Sequence, residues 1–211
     1  MQAALTALTR PGLRAHPHAH GGATLRKLCL RSANLPGGDL HDFDLSESDL
    51  SYAHLQGSDL SNAGLYSADL SAASISDALL SPAYMDKSNL SWADLSGSIL
   101  IDSSLDGANL SSARLMKANL SGADMRRSDL SRADCYGANF AFTKLSEANL
   151  NGADLRAADL RRARGLRIAA LVQAKISSTT KLPDEVAADP RIIKRIADVE
   201  EEQAKSFELR W

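Results

Sequence analysis

The sequence predicts an all-β solenoid, and three regularities carry that prediction. From Leu25 to Leu160 every fifth residue is apolar, 28 positions in all, of which 23 are leucine and the rest Ile75, Met85, Met125, Cys135 and Phe140. Two residues before each of these the side chain is small in 24 of 28 cases, 18 Ala and six Ser. Between the small and the large residue stands Asp or Asn in 17 of 28 repeats.

Neither a helix nor a plain strand accommodates such a period. A step of five residues advances a helix by about 500°, so the leucines would spiral around the axis and never form a stripe. In a strand successive side chains alternate faces, so an odd period would send neighbouring leucines to opposite sides. The chain must therefore turn once per repeat. Residues two apart in an extended segment point the same way, so each repeat offers one large and one small side chain inward, and a bend after them keeps that side inward. Asp and Asn fit this scheme because their short side chains bond to nearby backbone and favour turns. Ser, Gly, Asp, Arg and Lys fill the outward positions. With only 5% aromatic residues, the core must be built from leucine and alanine.

Repeats such as Ala148-Asn149-Leu150-Asn151-Gly152 and Ala153-Asp154-Leu155-Arg156-Ala157 have the form A(D/N)LXX and resemble those of the pentapeptide-repeat family. The resemblance covers residues 23–162 and implies a right-handed quadrilateral β-helix in which four repeats make one square coil. Its 28 repeats then give about seven coils, and stacking at about 4.8 Å makes a rod of roughly 34 Å with a solid lumen. Each buried leucine contributes about 1.5–3 kcal/mol, which offsets the ordering entropy of a repeat that has no other core.

Three segments follow: a disordered tail over 1–22, the β-helix over 23–165, and a C-terminal cap with an amphipathic helix over 166–211. The tail carries Arg10 and Arg14 without an acid, a composition shared with transit peptides, but reads better as a disordered tail. Its His16, His18 and His20 alternate, yet no carboxylate or cysteine lies nearby to complete a metal site. Past the repeats, Ala163-Arg164-Gly165-Leu166 and the stretch to Pro183 resemble the closing segment of family members, a short capping helix and an extended tail. The competing reading has Leu166, Leu171 and Ile176 carry the period of five onward with a one-residue slip. Asp189-Pro190 then reads as an N-cap with Pro at the first helical position, and Ile192, Ile196, Val199 and Phe207 fall along one side of the helix. Because the cap already closes the last coil, that apolar side needs a further partner, either the rod's own side or the same helix of a second chain, and the two-fold solution predicts a homodimer formed through the C-terminal helix.

The chemical inventory is nearly empty. The chain shows no nucleophile motif, phosphate loop or zinc-ligand spacing, and no cofactor is expected. Residues 20 apart stack, so Asp39 with Asp59, Asp49 with Asp69 and Asp134 with Asp154 form close carboxylate pairs. These read as turn-stabilising acceptors on a convex surface, since catalytic sites are concave. Cys29 and Cys135 lack metal or disulfide spacing and point to a reducing, cytoplasmic setting. No apolar run is long enough to span a membrane.

Function is therefore expected on the outer surface, in binding a protein partner. Leu79 takes the place of a turn Asp, Ile99 lies one coil above it and Ile101 two residues on, so three aliphatic side chains should share one outer face. Met116 and Tyr136 stack on another face, with Tyr84, Trp92 and Phe142 also outside. Charge is segregated: residues 33–113 hold twelve acids against Lys87, a net of −11, and residues 114–167 hold eleven bases against six acids, a net of +5. Direct nucleic-acid binding by the basic half lacks aromatic platforms or a groove-reading helix. The family resemblance also implies an alternative, imitation of duplex DNA toward DNA gyrase or topoisomerase IV, with Asp86, Asp102 and Asp106 as the acids to test.

Overall fold

The structure, a computed structural model, describes residues 24–208. The tail over 1–22 and its three histidines lie outside the described residues. Within them the chain winds as a four-sided, right-handed β-helix, the hand that parallel crossovers adopt. Every parallel bridge from Thr24↔Asp44 to Lys144↔Arg164 joins residues 20 apart, so each coil consumes four repeats without a slip. The four sides, named by their bridging residues, are side A (Thr24, Asp44, Gly64 and so on), side B (Cys29, Asp49, Asp69), side C (Asn34, His54, Ser74) and side D (Asp39, Asp59, Leu79).

Local chemistry explains the corners. At most corners the carbonyl of the large residue accepts the N–H three residues on, as in Ala53 to Leu50 at 3.0 Å, and the second residue of the turn has positive φ. Such a turn ordinarily asks for Gly or Asn. Here Tyr52, Trp92 and Arg132 also adopt it, at φ 60°, 62° and 58°. The left-handed conformation costs a non-glycine residue about 1–2 kcal/mol. An offset comes from the neighbouring coil, because the N–H of the same residue reaches a carbonyl there, as Trp92 does to Ser111 at 3.0 Å.

The Asp and Asn residues do not occupy the turn. They sit on the bridge just before the leucine, and their Oδ1 accepts the N–H two residues on, as Asp59 does from Ser61 at 2.9 Å. On side B they also bond along the rod, Asn89 to Asp69 at 3.0 Å and Asn109 to Asn89 at 3.2 Å.

The core follows the period of five. From Leu40 to Leu160 every large inward residue is almost wholly buried, including Met85, Met125, Cys135 and Phe140. Cys135 fills a leucine position, and burial, with Asp134 and Asp154 nearby, pushes its thiol well above the ordinary range. Where serine replaces the small inward alanine its hydroxyl is satisfied: Ser58, Ser88, Ser98, Ser103 and Ser128 each donate to the large residue three positions back, at 2.6–2.8 Å.

Beyond Arg164 both readings of the closing segment are realised together. Helix α1 (Ile168–Leu171) takes the place of one side of an eighth coil, after which Lys175 bridges Asp154 and Lys181 bridges Asp159, offsets of 21 and 22 instead of 20. Leu171, Ala174 and Ile176 are buried, and Thr180 Oγ1 donates to the Leu155 carbonyl at 3.0 Å. Helix α2 (Asp184–Ala187) and helix α3 (Pro190–Glu208) follow, α3 packing on both shorter helices. Asp189 caps α3, accepting the Arg191 N–H at 2.9 Å.

The apolar side of α3 differs from its expected use. Ile192 and Val199 are buried and Ile196 half-buried within the single chain. Most helical stability comes from packing an amphipathic face, and this helix finds its partner in the cap, so the surplus that predicted pairing of two chains shrinks to Ile193 and Phe207, 57% and 67% exposed.

Candidate interaction surface

Side D carries an interruption. Its outward column reads Asp39, Asp59, Leu79, Ile99, Asn119, Asn139, Asp159, so an aliphatic pair breaks a ladder that is otherwise acid or amide. Leu79 bridges Ile99 directly, and their backbones are pinned by Leu79 N–H to Ser58 at 2.9 Å and Leu80 N–H to Ile99 at 2.8 Å. Leu79, Ile99 and Ile101 are 42%, 37% and 36% exposed. Ile101 opens the turn after Leu100, at the corner between sides D and A, and exposed Asp102 follows it.

Met116 and Tyr136 also come into one column, with Lys117 N–H bonded to the Tyr136 carbonyl. The expectation that they lie on another face is corrected by the topology: residues 116 and 136 open the turns between sides C and D, and so border side D along its leading corner. Met116 is half-buried, Tyr136 exposed, and the Arg156 guanidinium lies over the Tyr136 ring at 6.0 Å. At the trailing corner Phe142 lies under Arg162 at 5.2 Å, and Ala141, Phe142, Arg161 and Arg162 line a shallow recess of about 350 Å³. Of the nine large apolar side chains exposed on the repeats, five (Leu79, Ile99, Ile101, Tyr136, Phe142) thus fall on side D or its corners. Tyr84 and Trp92, also expected outside, are exposed on side A and on the corner between sides B and C.

The charges are less free than their sum implied. In the basic half an arginine two residues after an aspartate folds back on it: Arg126 on Asp124 at 2.7 and 2.8 Å, Arg161 on Asp159 at 3.0 and 2.7 Å, and Arg156 on Asp154. Burial pushes the Asp124 carboxyl up, but hydrogen bonds from Arg126 and Lys144 outweigh it and hold the group below the usual range. The recurring Asp-X-Arg spacing was present in the sequence, and counting net charge overlooked it. Among the acids, Asp106 pairs with Arg127, and Asp86 accepts the Asp106 N–H at 3.1 Å and the Ser104 hydroxyl at 2.5 Å. Asp86 and Asp106 stand at the corner between sides A and B, across side A from Asp102. The stacked pairs are likewise occupied: Ser51 bonds Asp49 through N–H and hydroxyl, and Arg156 holds Asp154.

A family model of pentapeptide repeats matches residues 29–65, 63–102, 100–132 and 133–164. Among solved structures, the chain is 29% identical to HetL, a pentapeptide repeat protein involved in heterocyst differentiation regulation in the cyanobacterium Nostoc sp. strain PCC 7120, over 82% of this chain and 86% of that one, with a TM-score of 0.36. It is 18% identical to QnrB1, a plasmid-mediated fluoroquinolone resistance protein, over 82% and 86%, with a TM-score of 0.45. Against a pentapeptide repeat protein of the Arabidopsis thaliana thylakoid lumen the identity is 24% over 56% and 86%, with a TM-score of 0.44. No curated protein matches the sequence.

Proposed function

Because the chain belongs to the pentapeptide-repeat family, we propose that it acts as a non-enzymatic interaction rod whose side D, with its two corners, docks a protein partner. The observation that carries this reading is the Leu79–Ile99 bridge, two exposed aliphatic side chains in register where the column otherwise holds Asp or Asn. Rigid backbones present these groups at fixed spacing, so a partner can bind without ordering the rod, which lowers the entropy cost of association. The apolar strip, flanked by Tyr136 and Phe142 under Arg156 and Arg162, suits a surface with apolar residues and an acidic margin. No helix among the described residues is long and apolar enough to cross a membrane.

The DNA-imitating alternative fits the geometry less well. Two of its three acids are already engaged by groups of the rod itself, Arg127, Ser104 and backbone, and the third stands on a different corner. Photo-crosslinking from within the source cell tests the docking side. A crosslinker at Ile101 is expected to capture one defined protein, a crosslinker at Ser112 on the corner between sides B and C is expected to capture none, and Ile99→Lys is expected to abolish the Ile101 adduct. Equal capture from both positions would refute side D as the docking side.

A further inference from the structure

We infer that Asp39, His41 and Asp59, at the N-terminal end of side D, form a binding site for a first-row divalent metal ion, with Zn²⁺ as its natural probe. One ligand atom from each of the three side chains lies within 4.8 Å of the other two. The backbone sets the pair of acids: Asp39 bridges Asp59, with Leu40 N–H to the Asp59 carbonyl at 2.7 Å and Asp59 N–H to the Gly38 carbonyl at 2.9 Å. His41 opens the next turn and aims Nδ1 at Asp39 Oδ1. An ion with bonds of about 2.0–2.1 Å needs its ligands about 3.4 Å apart, which rotation of side chains on this fixed backbone can supply.

Comparison along the rod separates this cluster from the other stacked acids. His41 holds the position, two residues after a bridging aspartate, that Arg126, Arg156 and Arg161 hold elsewhere. Those arginines neutralise their aspartates and offer no lone pair. A neutral imidazole does the reverse, adding a nitrogen donor to two carboxylates. Among the described residues no lysine or arginine forms an ion pair with Asp39 or Asp59, whereas Asp94, Asp124, Asp154 and Asp159 each have at least one; the stacked Asp49 and Asp69 also lack one, but serine and not histidine stands two residues after each of them. The bond from Ser61 N–H engages only Oδ1 of Asp59, leaving Oδ2 for an ion. The far ring nitrogen of His41 faces Asp42 Oδ2 at 3.7 Å, the outer carboxylate that commonly orients a metal-bound histidine. Mixed nitrogen and carboxylate ligation suits zinc and its neighbours better than magnesium or calcium. With all three residues only part-buried, coordination positions stay open toward solvent on the same side as the aliphatic strip.

The test uses the full chain carrying His16→Ala, His18→Ala and His20→Ala, so that the tail histidines cannot supply the signal. Calorimetric titration with Zn²⁺ and the visible absorption of Co²⁺ should both report one ion per chain. His41→Ala and Asp59→Asn should each weaken binding about tenfold or more, and His41→Arg, which recreates the Asp124–Arg126 arrangement, should remove it while leaving the metal-free melting temperature unchanged. Absence of binding in the tail variant, or binding indifferent to His41→Arg, would mean that Asp39 and His41 form an ion pair only, and the inference would fall.

Discussion

Arg195 Nε donates to the main-chain carbonyl of Ala174 at 2.8 Å, fastening α3 to the buried turn that closes the rod. Glu200 adds a second tie by accepting the Ser178 N–H at 2.8 Å. The helix therefore serves as the outer layer of the cap. Removing residues 189–211 is expected to expose the cap's apolar surface, lower the melting temperature and make the truncated chain associate, while the full chain runs near 22.5 kDa. Light scattering on both chains decides it: a full chain at twice that mass, with a monomeric truncation, would restore helix-mediated pairing.

Inward and outward positions should differ sharply in tolerance. Leu95 is fully buried, so Leu95→Asp places an unpaired carboxylate in the lumen and should cost about 3–5 kcal/mol. Trp92 is 70% exposed at φ 62°. Trp92→Asn relieves a left-handed aromatic residue and should stabilise by about 0.5–1 kcal/mol. Thermal melts showing equal losses would overturn the assignment of the lumen.

Gly165 is where the chain leaves the repeat register, at φ 74°, and a Cβ there would stand 2.7 Å from the backbone nitrogen of Ser146. Backbone cannot yield as a side-chain tip can. Gly165→Ala should cost at least about 2 kcal/mol. Gly107→Ala, at φ 68° with only Lys87 Cγ at 3.7 Å, carries the dihedral strain alone and should cost about 1 kcal/mol. Similar denaturation midpoints for the two variants would contradict the close approach.

Acid should loosen α3 before the rod. The hydrogen bond from the Arg191 side chain, with backbone bonds and charge adding, holds the Asp189 carboxyl down at about 2, against 3.8 for the free group. A depressed carboxyl stabilises the fold fully above its unfolded value, and that contribution is lost as pH falls from about 3.8 through about 2. Helical circular dichroism is expected to decline across that window. Asp189→Asn should retain the cap and flatten the decline, whereas Asp189→Ala should lower helicity at every pH.

Gyrase supercoiling assays separate the two functional readings. With Asp106 paired to Arg127 and Asp86 bonded within the rod, the protein is expected to leave supercoiling and its quinolone sensitivity unchanged at low salt. Asp106→Asn is expected to lower rod stability. Salt-dependent inhibition relieved by neutralising Asp86, Asp102 and Asp106 would establish DNA imitation instead.

The period of five, with small residues two places earlier, was enough by itself to determine the solenoid and its lumen, because only a chain that bends once per repeat can bury Leu25 to Leu160 together. It also marked Leu79 and Ile99 as outward and stacked, since residues 20 apart share a column in any four-sided coil. The same period of 20 also sets the Met116 and Tyr136 column between sides C and D. Tertiary structure alone decided two things. It showed which charges of the basic half are paired, because Arg126, Arg156 and Arg161 fold back on acids of their own repeats; the net of +5 is unchanged, but its location depends on side-chain reach that a charge sum does not contain. It also gave the apolar side of α3 to the cap, burying Ile192 and Val199, because an amphipathic stripe shows that a helix needs a partner but not which one, and the closing turn at Ala174 lies within reach of Arg195 only once the eighth coil has formed.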